Sequence, residues 1–219
     1  TRKGGARNGR GRIQSYTWIL ITAWTLVIVI SLGWNLYQAR QEIQDMALTT
    51  ARINFDKDLL YRRWATIHGG VYVPVTPETP PNPYLEHMPE RDLTTPSGRQ
   101  LTLMNPAYMT RQVYTFSQKE SAIRGHLTSL KPLRPENRPD PWEVEALKSF
   151  EQGKSEAFTI EDLEGQPYLR LMRPFKTEKG CLKCHAQQGY REGDIRGGIS
   201  VSTPLAPLYA AQQRTPFNI

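Results

Sequence analysis

Cys181, Leu182, Lys183, Cys184 and His185 form a Cys-x-x-Cys-His run. Two thiols this close on one turn can add to the two vinyl groups of haem. The adjacent imidazole can then ligate the iron from the proximal side. The expected product is one covalent haem c, attached through Cys181 and Cys184 and ligated by His185. Two rival chemistries use the same residue types. A thioredoxin-like disulfide needs a βαβ pattern around the pair, and none surrounds it. A zinc site would need its second pair of ligands from distant histidines. The motif uses both cysteines of the chain, so a multi-disulfide scaffold is excluded.

The sixth iron ligand must come from elsewhere. The other histidines are His68, His87 and His126. The methionines outside the apolar N-terminal segment are Met46, Met88, Met104, Met109 and Met172. Such residues serve packing more often than iron. His68 ranks first, because it ends a long helical stretch and precedes Gly69-Gly70, where the backbone can approach a bulky cofactor. His126 ranks second, and an open or water-bound site third. Arg170, Arg173 and Arg196 carry guanidinium forks that suit haem propionates, although surface or sheet-edge roles are commoner for each.

Several elements must position these groups. The chain has 219 residues, 38% apolar and 22% charged, enough to bury a core. Its net charge of +7 is uneven. Arg2, Lys3, Arg7, Arg10 and Arg12 fall in the first twelve residues without an acid. The basicity is a tail rather than a binding face, which argues against nucleic acid as a partner. No charged residue lies between Arg12 and Arg40. About 20 apolar residues suffice to cross the hydrocarbon core as a helix. Tyr16 and Trp18 at one end, with Trp34 and Tyr37 at the other, suit the two interfaces. A cleaved signal peptide is the rival reading, against which the length of the apolar run counts.

The expected order is therefore a basic cytoplasmic tail (1–12), a transmembrane helix (13–37) and a haem-bearing domain (38–212). The last residues (213–219) are expected to be cut short before a further segment. The basic tail predicts an N-terminus in the cytoplasm and a domain outside the inner membrane of a bacterium, in the periplasm. Residues 37–68 contain almost no helix breaker and read as one long helix. Its apolar stripe, through Ile43, Met46, Ala47, Ala51, Phe55 and Leu59, invites a homodimer. Seven prolines between Pro74 and Pro96 predict a loop, rather than a central strand or helix. Further helices are expected at 105–119, at 141–153 behind an Asp140 cap, and at 204–213. Strands are expected at 125–130, 157–160, 168–175 and 195–203, with a hairpin at Glu164-Gly165. The class is α+β with a mainly antiparallel sheet.

Two common cytochrome plans fit poorly. One places the haem motif near the start of the chain with a methionine ligand later, and no methionine follows His185. The other is a four-helix bundle, which the strand-rich stretch 156–203 contradicts. The segments RRWATIHGGVYVPVTPETPPNPYL (62–85), LTLMNPAYMTRQV (101–113), GHLTSLKPLRPENRPDPWE (125–143) and CLKCHAQQGYREGDIRGGISVSTPL (181–205) instead resemble the Tll0287-like haem domain. The resemblance runs from about residue 38 to 212. It implies a PAS-like fold with covalent haem c, attached by Cys181 and Cys184 with His185 proximal. It also implies a periplasmic input domain of the kind found in histidine kinases, diguanylate cyclases and chemoreceptors. Some relatives take a distal cysteine from the N-terminal helix. None stands there in this sequence, which leaves room for His68.

The expected function is a membrane-anchored sensor of redox state or of a small gas, signalling to an output domain. The alternative is a membrane-tethered cytochrome that passes electrons to a partner. No nucleophile–base pair, Walker loop or kinase signature is visible, so an enzyme within these residues is not expected.

Overall fold

The structure is a computed structural model that describes residues 5–214. The chain divides into two compact units between Asp45 and Met46.

Helix α1 (Gly5–Ile67) begins in the first unit and ends in the second. No proline interrupts it. The basic segment is helical from Gly5 onward, and the helix runs on without a break between residues 37 and 38. In the first unit the large apolar side chains from Ile13 to Tyr37 are exposed. Among the described residues this is the one helix long and apolar enough to cross a membrane. Its polar side chains bond back to their own helix: Thr17 Oγ1 to the Ile13 carbonyl at 2.9 Å, Thr25 Oγ1 to Ile21 at 2.8 Å, and Asn35 Nδ2 to Ser31 at 2.9 Å. A helix away from water needs such internal satisfaction.

The second unit starts within α1. There Ala47, Ala51 and Phe55 are buried within the chain itself. Two antiparallel sheets follow. Strands β1 (Val71–Pro74), β2 (Asp92–Thr94) and β3 (Gln100–Met104) form the first, in the order β1-β3-β2. The proline-rich stretch expected as a loop thus contributes two strands. Both are short edges, where a proline at a strand end removes no ladder bond.

The larger sheet contains β4 (Arg124–Thr128), β5 (Ala157–Leu163), β6 (Gln166–Lys176) and β7 (Ile195–Pro204), in the order β4-β7-β6-β5. All its pairings are antiparallel. Glu164 and Gly165 turn β5 into β6, with φ of 58° and 80°. That is the backbone a two-residue hairpin loop requires. The central strands β6 and β7 carry runs of consecutive buried residues, whereas edge strand β5 alternates.

Helix α2 (Pro106–Glu120) is capped by Asn105, whose Oδ1 accepts from the Tyr108 amide at 2.9 Å. Helix α3 (Pro141–Glu151) opens on a complete capping box between Asp140 and Glu143. Ala146, Leu147 and Phe150 of α3 pack with Met172 of β6 in the core. Tyr114 of α2 lies where a Cβ on Gly125 of β4 would stand, so only glycine permits that approach. The unit is α+β with antiparallel sheets.

Candidate functional site

The Cys-x-x-Cys-His segment folds as three short helical pieces: a 3-10 turn (Lys179–Cys181), helix α4 (Leu182–His185) and a second 3-10 turn (Ala186–Gln188). Gly189 ends the run at φ 85°. Gly180 sits against α1, where an added Cβ would stand 2.4 Å from Thr66 Cγ2. The absent side chain lets the motif lie on the end of that helix. Cys181 is a half-buried free thiol. The side chain of Cys184 lies outside the described residues.

Gln188 fixes the state of His185. The Gln188 Nε2 group donates to the Lys131 carbonyl at 3.3 Å. Its Oε1 therefore faces His185 Nδ1, at 2.6 Å. An amide oxygen only accepts, so Nδ1 carries the proton and Nε2 keeps the lone pair. Burial and the nearby Arg196 guanidinium hold the His185 pKa below its ordinary value. Neutral imidazole with a free Nε2 is the form that binds a metal.

His185 lines two clefts, of about 760 and 670 Å³ counting space open to solvent. Cys181 lines the second cleft with Met88, Leu85, Leu103 and Thr66. Arg196 lines both clefts, and Arg62 the second. The two guanidiniums lie 5.0 Å (Arg62) and 5.3 Å (Arg196) from the Phe175 ring centroid. Arg62 is buried, 3.3 Å from Thr110 Oγ1 and 3.4 Å from the Pro106 carbonyl. Desolvation and the charge of Arg196 push its pKa down to about 10. A carboxylate entering here would relieve that cost.

Cys181, His185 and Arg196 are thus brought together. Of the other expected site residues whose side chains are described, none joins them. His68 is exposed in the turn after α1, its Nδ1 bonded to the Trp64 carbonyl at 2.8 Å and its ring 4.5 Å from that of Trp64. It lines neither cleft, although Gly69 lines the second. His126 and Arg170 share a different cleft with Glu143. Arg170 meets Asp140 at 2.6 Å and Glu143 at 3.4 Å, and bonds Glu161. His126 Nδ1 lies 2.9 Å from Glu143 Oε2. Arg173 bonds Asp56 of α1 at 2.8 Å and stacks over Phe55. The guanidiniums of Arg170 and Arg173 therefore already face carboxylates. Sequence reasoning missed Arg62 and Gln188. Gln188 could have been suspected from its place three residues after His185, whereas nothing local marks Arg62.

A family model described as "Tll0287-like: Tll0287" matches residues 39–204. A solved structure described as the "Crystal structure of the cyanobacterial heme-protein Tll0287" is similar at 14% identity. The match covers 72% of this chain and 92% of that one, with a TM-score of 0.44. No curated protein matches the chain.

Proposed function

The chain belongs to the Tll0287-like family, and on that premise we propose that it is a membrane-anchored, periplasmic haem c domain that senses redox state or a small gas. One observation carries the reading. Cys181 and His185 sit on a segment seated against the end of α1 and line one cleft with two guanidiniums. The residues fit the group. Cys181 and Cys184 supply the thioethers, and neutral His185 offers Nε2. Arg62 and Arg196, which line the cleft, would receive propionates in place of Arg170 and Arg173, whose guanidiniums face carboxylates. The four-stranded antiparallel sheet with its helices supports the PAS-like reading. When bound, haem supplies an iron that changes charge on losing an electron and can take a diatomic ligand.

The sensor reading is favoured over a carrier because the motif rests on α1, the helix that also holds the apolar span. A shift of the motif on a ligand change would press on Thr66 directly. Signalling of this kind requires two states with different ligand affinities.

The test is made on the full chain, produced in membranes of a host that attaches haem c. The expected result is haem that stays on the denatured polypeptide and iron ligation that differs between ferric and ferrous forms. Identical ligation in both forms, with fast electron exchange to a partner cytochrome, would make it a carrier instead. Absence of covalent haem would overturn the reading and return Cys181 and Cys184 to disulfide or metal chemistry.

A further inference from the structure

Resting on the covalent-haem reading, we infer that Met88 is the distal iron ligand, through its thioether sulfur. The cleft shared by Cys181 and His185 offers few other donors. Thr66 Oγ1 is committed to the Arg62 carbonyl at 2.8 Å. Asn105 Oδ1 caps α2 at 2.9 Å from the Tyr108 amide. Cys181 is consumed by attachment, and the guanidiniums of Arg62 and Arg196 have no lone pair to give. Among the described residues of that cleft, that leaves the Met88 sulfur. His68 and His126 line neither cleft that His185 shares.

The placement of Met88 is held by the chain. Its amide donates to the Leu85 carbonyl at 2.9 Å, and its carbonyl accepts from the Arg91 amide at 3.1 Å. The side chain is half-buried, in the same cleft as the apolar Leu85 and Leu103. The thioether is neutral and can bind iron without a proton to lose. Thioethers are soft ligands, and softness favours the reduced metal. Methionine opposite histidine also raises the reduction potential. Ligation by Met88 is therefore firm in the ferrous form and labile in the ferric one, which provides the state-dependent contact that a redox sensor needs.

The experiment compares the haem-loaded full chain with Met88→Leu, Met88→His and His87→Ala, His87 being a lining residue of the other cleft. Ferrous spin state and carbon monoxide binding are recorded. The parent should be ferrous low-spin, with a carbon monoxide rate that saturates as the leaving ligand becomes limiting. Met88→Leu, close in volume, should turn the ferrous iron high-spin and make the rate proportional to carbon monoxide concentration. Met88→His should restore the low-spin form at a lower potential. A Met88→Leu protein that stays low-spin would overturn the assignment, as would the same spectral loss on His87→Ala. A parent without covalent haem would bring down the haem reading as well, whereas a loaded but unaltered Met88→Leu protein brings down this inference alone.

Discussion

The hydrogen bond between Gln188 Oε1 and His185 Nδ1 has a consequence that a spectrum and a potential can read. An acceptor on the far nitrogen raises the basicity of a ligating imidazole. Gln188→Leu should therefore raise the reduction potential of the haem-loaded protein, and Gln188→Glu should lower it, in a redox titration. Equal potentials in all three proteins would show that Gln188 only fills space. At this scale the sequence spoke clearly where chemistry is local. Cys181, Cys184 and His185 are adjacent, so their pattern could be read directly. Arg62 lies on a helix more than a hundred residues from the motif, and its role depends on how α1 meets Phe175 and Arg196. His68 ranked first because it precedes a flexible pair, but its ring settled on Trp64.

Among the elements, α3 is tied to the larger sheet through Glu143. This buried carboxylate caps its own helix and accepts from Ser200 Oγ of β7 at 2.5 Å. It also faces His126 of β4 and Arg170 of β6. Burial works against a charged His126, but the hydrogen bond and charge of Glu143 outweigh it. The Glu136 carbonyl and Asp140 act in the same direction, and the pKa is raised. A raised folded-state pKa gives stability that is complete below the unfolded value of about 6.5. That stability is lost as pH rises through the folded value. Urea unfolding across this window should show the decline in the parent and a flatter profile in His126→Asn. The same slope in both would remove the His126–Glu143 pair as its source. The sequence showed half of this arrangement. Asp140, Pro141 and Glu143 announce a helix start within four residues, but the partners of Glu143 come from three separate strands. The first sheet was missed for a related reason. Its strands have three to five residues and two of them sit among prolines, so no period could develop.

For the whole molecule, the apolar segment of α1 was the plainest reading of all. Trp18 and Trp34 are 68% and 61% exposed in the chain alone, as side chains that face lipid would be. Alkaline carbonate should therefore leave the protein in the membrane pellet, and protease added to spheroplasts should digest the domain after α1. Release into the supernatant would indicate a cleaved leader, and protection from protease would reverse the orientation. The stripe expected to seek a second copy is only partly available. Ala47, Ala51 and Phe55 are buried in their own domain, while Leu60, Trp64 and Ile67 on the same helix stay exposed. Periodicity revealed that the helix has an apolar side, but not how much of it the rest of the chain would cover.

The two arginines at Phe175 bear on the direction in which electrons run. On the proposed reading, oxidising the iron would add one positive charge near two guanidiniums that no pH in the cell neutralises and that the propionates would partly offset. Arg62 is buried, and salt screens buried charges much less than exposed ones. On the proposed haem reading, whatever bias toward the ferrous form remains after the propionates pair would sit in the interior and should hold when the ionic strength outside changes.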